Sequence, residues 1–282
     1  SGGLHGAGAS VVNALSEFVD VTVHRDGKIH HITFSNGGRE VSPLEIIGET
    51  TKTGTSVWFK PNSEAFSTSV YNYQTLVERV RESAFLLKGL NVILIDERSK
   101  TTEEFNYENG ILAYVDFINS SKTAIHEAKL LEGRLPNEIE VEVAFQFTKS
   151  YTDQIVSFVN NVRTKDGGTH ETGFKSALTK LFNEYGVKVG LIKNGKKLEG
   201  ADIREGLTSV ISVRIPESLL QFEGQTKNKL GSPDARSAVE QIVSEKLTYF
   251  LEENNNLTYT LIEKALSAQN ARDAARKARE EA

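Results

Sequence analysis

Hydrophobic and polar positions alternate with a period of two in the first quarter of the chain. Valines at every second position from Val19 to Val23 alternate with polar residues, which predicts a half-buried strand. The Asp26-Gly27 pair is typical of a hairpin turn and predicts a return strand over residues 29–34. Further on, Thr53-Gly54-Thr55 opens another predicted strand, which ends at Pro61.

A period of three to four residues dominates in other stretches. Apolar residues at this spacing predict a helix over residues 76–87 and a second helix over residues 111–118. A short buried strand is predicted between them, over Val92–Ile95. The apolar stripe of the first helix consists of Leu76, Val80, Ala84 and Leu87.

The second half of the chain contains both periods. Alternation predicts strands over residues 141–147, 154–161 and 207–215. Between the last two strands, apolar residues at helical spacing predict a strongly amphipathic helix, and Thr169 is predicted as its N-cap. These apolar residues are Phe174, Ala177, Leu178, Leu181, Phe182 and Tyr185. Gly186 is predicted to close this helix as the left-handed residue after its end.

From Ser232 onward the pattern is helical. A helix over Leu257–Ala282 would be about 39 Å long, at about 1.5 Å per residue. Its alanine-rich stripe predicts close packing on a partner or a projecting arm. The polar segment Glu97–Glu108 predicts a domain boundary. We therefore expect an α+β protein with domains over residues 1–102 and 103–256, followed by a long helix over 257–282.

Composition narrows the class of protein. The 282 residues, of which 38% are hydrophobic and 25% charged, indicate an ordinary globular protein of about two domains. No stretch predicts a membrane span or a secretory signal, and the absence of cysteine excludes disulfides and fits a cytoplasmic location. A net charge of −5 predicts that any DNA contact is local. Because the chain has no methionine, we expect that Ser1 is not the natural start.

The most glycine-rich stretch is Ser1–Gly8, and a helical pattern follows it at once. Glycine lets the backbone approach a ligand closely, and the free N–H groups of a helix start carry partial positive charge. Together they predict an anion site, most often for phosphate; the alternative is a flexible linker. A Rossmann site is disfavoured because no strand precedes the glycines. The apolar positions of the helical pattern are Val11, Leu15 and Phe18 or Val19.

A second motif, QFEGQTKNKLG, lies far downstream at residues 221–231. Taken with the loop GLHGAG at residues 3–8, it resembles the B subunits of bacterial type IIA topoisomerases, a family that comprises those of DNA gyrase and of topoisomerase IV. The resemblance runs in order over essentially the whole chain. Further segments that carry it are Thr53–Thr55, Arg163–Glu171 and Asp202–Leu207.

The resemblance implies a fold and a separate role for each of the two domains. The first part of the chain would be the remainder of a GHKL-type ATPase domain, a two-layer α/β sandwich that binds ATP under a glycine lid. The second part would be a transducer domain, similar to domain 2 of ribosomal protein S5, which carries the nucleotide state to the DNA-cleaving part of the enzyme.

The resemblance also implies roles for residues of the glycine loop. The loop would lie over the triphosphate as the ATP lid, with backbone N–H groups that form a nest for anion oxygens. His5 could donate a hydrogen bond to a phosphate. The candidate ATP-binding residues of this loop are Gly3, Leu4, His5, Gly6, Ala7 and Gly8.

Lys227 is the second candidate, because a lysine is a compact point charge suited to a terminal phosphate oxygen. Gln225 can hydrogen-bond the same phosphate. The resemblance implies that their loop reaches from the transducer into the ATP site and senses the γ-phosphate, so that ATP binding ties the two domains together. It also places Thr55 at the floor of the adenine pocket, bonded to the base through water. Lys229 is expected to be a surface residue.

The family's catalytic glutamate, magnesium-binding asparagine and adenine-reading aspartate lie N-terminal to the lid and have no counterpart here. We therefore expect ATP and Mg²⁺ as ligands of the whole enzyme, a magnesium ligand outside this chain, and negligible ATP hydrolysis by this chain alone. The implied partners are double-stranded DNA, the A subunit of topoisomerase IV and a second copy of the B subunit.

Several alternatives stay open. Phrases such as Arg163–Glu171 and Tyr107–Gly110 resemble the topoisomerase IV branch of Gram-positive bacteria more than the gyrase branch. Other GHKL proteins, such as mismatch-repair ATPases, chaperones and histidine kinases, lack the motif at residues 221–231. A purely structural DNA clamp is the remaining hypothesis.

Three further features are interpreted as structural. Residues 166–169 are more simply a helix cap than a second anion site, although Arg163 and Lys165 could face DNA. The six histidines show no metal spacing. The tail cations predict a solvated helix face rather than a DNA patch, because nearby carboxylates, Glu263, Asp273, Glu280 and Glu281, balance them.

Overall fold

The computed structural model describes residues 6–282. They fall into two compact units, which divide between Leu76 and Val77, inside helix α2 (Tyr73–Leu86). We refer to residues 6–76 as the N-terminal unit and to residues 77–282 as the C-terminal unit.

The N-terminal unit begins with helix α1 (Gly8–Ala14) and continues as an antiparallel sheet of five strands. The sheet order is β3-β2-β1-β5, and β4 also pairs with β2. The predicted hairpin is confirmed, because Asp26 and Gly27 have the positive φ angles, 53° and 78°, that its tight turn requires. The strands are β1 (Ser16–Arg25), β2 (Lys28–Ser35), β3 (Glu40–Val41), β4 (Glu45–Glu49) and β5 (Gly54–Pro61).

Helix α1 is shorter than its apolar pattern suggests. It ends at Ala14, and both Phe18 and Val19 lie on β1 instead. Strand β1 pairs with β2 on one side and with β5 on the other, so its backbone makes hydrogen bonds along both edges. Pairing within the sheet therefore overrides the weak helical spacing at this point.

The C-terminal unit is built on a second sheet, with the order β11-β10-β12-β9-β8. Strands β10 and β12 are parallel, and helix α4 (Thr169–Lys188) lies between them along the chain, which makes a βαβ unit. The other pairs in this sheet are antiparallel. The strands are β8 (Lys129–Arg134), β9 (Glu140–Phe147), β10 (Gln154–Val159), β11 (Val162–Arg163) and β12 (Leu207–Arg214).

Helices cover both faces of this sheet. On one face, the large core joins alternate residues of β9 to α4, α6 (Pro233–Glu253) and α7 (Asn255–Glu280). On the other face, a smaller cluster joins α3 (Ile111–Ile118) to the sheet. The fold class is thus α+β, as the sequence predicts. The short elements α5 (Gly200–Ile203) and a 3-10 turn (Glu217–Leu219) flank β12.

The segment predicted as a polar boundary contains a strand. Residues Thr101–Phe105 form β7, which pairs with β6 (Val92–Asp96) in a two-stranded sheet. The predicted strand over residues 92–95 is confirmed as β6, but its predicted burial was wrong, because Ile93 and Ile95 are 54% and 63% exposed. Cross-strand pairing, rather than burial, holds these strands together.

Both predicted ends of α4 differ from the structure. The N-cap position is Gly168, and the helix has no side-chain cap bond. Gly186 lies inside the helix, where a Cβ atom would stand 2.2 Å from a side-chain carbon of Ile192. The left-handed residue after the helix is Gly190, with a φ of 80°. Gly186 is therefore a packing residue rather than the end of the helix.

Helix α7 is buried over its early part and exposed over its last turns. Its early residues Leu261, Ile262 and Ala265 are buried in the large core, while residues 274–280 are exposed. Most of the alanine-rich stripe therefore lies on the exposed part of the helix, where its predicted packing on a partner stays a prediction. No described helix is both long enough and apolar enough to cross a membrane.

Candidate functional site

The glycine loop is only partly described. The candidates Gly3, Leu4 and His5 lie outside the described residues. Ala7 is the N-cap of α1, and its carbonyl oxygen accepts a hydrogen bond of 2.9 Å from the Val11 amide.

Gly6, Ala7 and Gly8 are all exposed, so the backbone there is accessible to a ligand. Gly6 has a φ of 63°, which glycine adopts readily, and a Cβ atom on Gly6 or Gly8 would meet no atom within 4 Å.

Thr55 lies near the start of strand β5, opposite Val23 of β1. It is exposed, like the rest of β5 up to Lys60. Strand β5 pairs with β1 alone among the described strands, so its second edge carries free backbone donors and acceptors. Thr55 is therefore accessible to a ligand from this open side.

The motif at residues 221–231 forms a closed loop in the C-terminal unit, which we call the lysine loop. The Gly231 amide donates to the Gln221 carbonyl at 2.8 Å, and the Glu223 amide donates to the Lys229 carbonyl at 2.9 Å. These two bonds make a short antiparallel neck. Residues 224–228 form the tip, which begins at Gly224 with a φ of 78°.

Two lysines of this loop have different surroundings. The Lys229 ammonium lies 2.9 Å from the Glu223 carboxylate. Lys227, at the tip, makes no ion pair with any residue in the described part of the chain, and Gln225 is exposed beside it. Within the described residues, Lys227 is therefore the only positive charge of the loop without an ion-pair partner, and it is the residue that the sequence analysis assigned to phosphate.

The segment at residues 166–169 holds the lysine loop in place. Leu230 bonds it twice: its amide donates to the Gly167 carbonyl at 3.0 Å, and its carbonyl accepts from the Thr169 amide at 3.0 Å. The Thr169 hydroxyl donates to the Ser232 carbonyl at 2.7 Å instead of capping α4. The interpretation of Thr169 as an N-cap was therefore wrong, because its side chain links the start of α4 to Ser232, the N-cap of α6.

A buried polar network lies beneath this connection. The Thr164 hydroxyl lies 2.9 Å from His170 Nε2 and 2.7 Å from the Ser157 hydroxyl. Ser157 in turn donates to the Glu171 carboxylate at 3.0 Å. Burial lowers the pKa of His170 to about 4, and burial raises the pKa of Glu171 above its ordinary value. Burial thus keeps His170 neutral at neutral pH.

We expect the C-terminal unit to lose stability as the pH falls from about 6.5 to about 4. Over that range the unfolded chain binds a proton at His170 and the native state does not, which lowers the free energy of unfolding by about 3 kcal/mol at most. The raised pKa of Glu171 acts in the opposite sense, because the native state takes up that proton first as the pH falls. The measurement is denaturant unfolding followed by far-UV circular dichroism at several pH values.

The matched variant is His170→Gln, which removes the titrating group. It should be less stable than the wild type at neutral pH but should show a shallower loss between pH 6.5 and 5. A variant that keeps the wild-type slope would contradict the assignment of this acid sensitivity to His170.

Of the two cations considered for DNA contact, Arg163 has partners inside the unit, and Lys165 makes no ion pair with a described residue. Arg163 lies 3.9 Å from Glu82, and its guanidinium stands over the Phe158 ring. Arg272 binds the buried Asp202 carboxylate at 2.9 Å, a partner that the sequence analysis did not identify. No cluster of three or more metal-binding side chains occurs among residues 6–282.

The structure places two of the candidate residues at one loop tip, and the other described candidates belong to the other unit. Gln225 and Lys227 share the tip of the lysine loop in the C-terminal unit. Gly6, Ala7, Gly8 and Thr55 belong to the N-terminal unit. The sequence analysis missed the Glu223–Lys229 pair, although opposite charges that bracket a glycine-containing loop were a usable signal.

The comparisons with known proteins agree with this architecture. The family model described as DNA gyrase B matches residues 110–281. The B subunit of DNA topoisomerase 4 from Bacillus subtilis is 61% identical over 283 residues, which are 100% of this chain and 43% of that protein. The corresponding protein of Staphylococcus epidermidis is 57% identical over 279 residues, 98% of this chain and 42% of that protein.

Two solved structures share the fold. The 43K ATPase domain of Thermus thermophilus gyrase B, in complex with an aminocoumarin, has a TM-score of 0.84 and 42% identity, over 99% of this chain and 75% of that one. The topoisomerase IV ATP-binding domain of Francisella tularensis, in complex with a small-molecule inhibitor, has a TM-score of 0.79 and 30% identity, over 96% and 75%.

The chain therefore belongs to the family of type II topoisomerase B subunits that the DNA gyrase B model describes. Its fold is that of the ATPase region of these proteins. Both curated relatives described above are B subunits of topoisomerase IV, and the chain spans less than half the length of each.

Proposed function

We propose that this chain is the ATP-lid and transducer part of a topoisomerase IV B subunit, and that it couples ATP binding and hydrolysis to the passage of double-stranded DNA. The observation that carries the proposal is the 61% identity with the Bacillus subtilis protein over the whole chain. The lysine loop supports it, because its tip presents an ammonium that is unpaired among the described residues, together with an exposed amide.

In this proposal ATP supplies, when bound, the terminal phosphoryl group that is transferred to water. Lys227 places its ammonium at the terminal phosphate, where it stabilises charge that develops during the reaction. Gln225 donates its side-chain amide to the same phosphate. Both side chains are suited to bind a phosphate. Gln225 is exposed, and no carboxylate in the described part of the chain competes for the Lys227 ammonium.

The glycine loop and Thr55 complete the proposed nucleotide site. Gly6, Ala7 and Gly8 offer exposed backbone to the triphosphate, continuing from Gly3, Leu4 and His5. Thr55 meets the adenine through water. Mg²⁺ would accompany the nucleotide, and we place its ligand outside this chain.

The lysine loop is built to transmit a displacement. It ends at Ser232, which is the N-cap of α6, and it is bonded at Leu230 to the segment that starts α4. Helices α4 and α6 touch closely, because a Cβ atom on Gly173 would stand 2.5 Å from the Arg236 carbonyl oxygen. A movement of Lys227 would therefore act on the starts of two packed helices.

The proposal includes the following boundaries and partners. We assign residues 1–102 to the ATPase domain, 103–256 to the transducer and 257–282 to a helix that leads towards the rest of the protein. The family match that begins at residue 110 supports the first boundary. The proposed partners are ATP, double-stranded DNA, the topoisomerase IV A subunit and a second B subunit, in the cytoplasm.

The alternative is a gyrase B subunit, and one experiment separates the two. We expect the full-length B subunit, combined with its A subunit, to decatenate linked DNA circles in an ATP-dependent reaction without introducing negative supercoils. Supercoiling of relaxed plasmid would identify a gyrase. If the assembled enzyme shows no ATP-dependent change of DNA topology, the remaining hypotheses are a structural DNA clamp and another GHKL ATPase.

The 282-residue chain by itself should hydrolyse ATP negligibly, because the family's catalytic glutamate has no counterpart in it.

A further inference from the structure

The two halves of the lysine-loop tip are held very differently. On the later side, the Asn228 carbonyl accepts a hydrogen bond of 2.9 Å from the Asp166 amide, and Leu230 is bonded through both its amide and its carbonyl. On the earlier side, Gly224 and Gln225 make no backbone hydrogen bond to other described residues. Lys227 stands at the junction, directly before the first fastened residue.

The Glu223–Lys229 ion pair closes the neck on which this asymmetry depends. Glu223 and Lys229 face each other as a rung, linked by a backbone hydrogen bond of 2.9 Å and by a side-chain contact of 2.9 Å. The pKa of Lys229 is raised, chiefly because its ammonium donates to the Glu223 carboxylate, and the charge of Asp166 acts in the same direction. The neck therefore carries a second link besides its backbone bond.

A lysine binds a phosphate more favourably when the backbone that carries it is already fixed. The lysine side chain is long and has four rotatable bonds, so a mobile backbone would add to the entropy lost on binding. Fixing residues 228–230 before the nucleotide arrives removes that part of the loss.

We propose that Lys229 is a positioning residue, which acts with Glu223 to hold the lysine loop in the shape that presents Lys227 before nucleotide binds. This inference rests on the proposed function, because it takes Lys227 to be the residue that meets the phosphate. It gives a role to the second lysine of the motif, which the sequence analysis left as a surface residue.

The first test needs no nucleotide. Hydrogen exchange is measured at the amides of Glu223, Leu230 and Gly231 in the full-length protein. In Lys229→Gln and Glu223→Gln we expect exchange at these amides to rise about three- to fivefold, the effect of losing one half-exposed ion pair. Lys229→Arg keeps the charge and should stay near the wild type.

The control for this test is Lys188→Gln, which removes an ion pair to Glu252 at the other end of α4. It should leave the exchange of the lysine-loop amides unchanged. Unchanged exchange in both Lys229→Gln and Glu223→Gln would overturn the positioning role.

The second test is ATP turnover by the assembled enzyme. Lys229→Gln and Glu223→Gln should each lower kcat about three- to fivefold, with Lys229→Arg near the wild type and the thermal unfolding temperature unchanged. If Lys227→Gln lowers turnover while the two neck variants do not, the positioning role fails and the proposed function stands. If Lys227→Gln has no effect, the proposed phosphate role of Lys227 fails, and the exchange experiment still decides whether Lys229 fixes the loop.

Discussion

Replacing Lys227 by glutamine in the full-length protein should lower ATP turnover about a hundredfold or more, while the protein remains folded. The ammonium at the loop tip has no carboxylate partner among the described residues, so its whole charge is free to act on a phosphate. Loss of one preorganised group that stabilises transition-state charge typically lowers kcat about 10²- to 10³-fold. The measurement is the steady-state ATPase rate of the enzyme assembled with its A subunit and DNA.

The control for this prediction is Lys149→Gln. Lys149 is an exposed lysine of the same unit, and it makes no ion pair in the described part of the chain. Its replacement changes the net charge equally and should leave turnover unchanged. Far-UV circular dichroism of both variants should match that of the wild type. Equal rates for Lys227→Gln and the wild type would remove Lys227 from the nucleotide site.

Much of the fold could be predicted because it follows from local pattern. Strand β1 shows period-two alternation, the Asp26-Gly27 pair is typical of a tight hairpin turn, and α4 carries a broad apolar stripe. Each of these signals is contained within a few consecutive residues. The structure therefore confirms these elements to within a few residues of their predicted ends.

The elements that escaped prediction depend on distant partners. Strand β7 is rich in threonine and glutamate, and it becomes a strand because it pairs with β6. Strand β8 was missed, and it forms an edge of the large sheet beside β9. Gly186 was assigned to a helix end because glycine favours such ends, yet the neighbouring Ile192 requires it inside the helix. None of these contacts leaves a periodic trace in the local sequence.

The candidate site divides in the same way. The phosphate role of Lys227 came from a resemblance, since a lone lysine in a polar loop is ordinarily a solvated residue. The fastening of its loop could not be inferred from spacing, because it joins residues 166–169 to residues 228–232 through backbone groups. Backbone hydrogen bonds carry no side-chain signature. The two motifs that the sequence presents separately are thus one structural feature.

Gly168 is the position where that feature should be most sensitive. A Cβ atom there would stand 2.3 Å from the Leu230 carbonyl oxygen and 2.5 Å from its amide nitrogen, and the φ of Gly168 is 140°. Neither obstacle is the end of a flexible side chain, so Gly168→Ala has to push the lysine loop away from α4. Backbone strain and overpacking together should lower the free energy of unfolding of the C-terminal unit by about 3–5 kcal/mol.

A matched glycine separates the two causes of this loss. Gly190, in the same unit, also has a left-handed φ, 80°, but a Cβ atom on it would meet nothing within 4 Å. Gly190→Ala should therefore show the smaller strain of a left-handed residue without a clash, about 1 kcal/mol. Far-UV circular dichroism is the suitable probe, because the only tryptophan, Trp58, lies in the other unit. If the two variants lose equal stability, the contact with Leu230 does not fix the loop, and Lys227 would have to be positioned by the nucleotide itself.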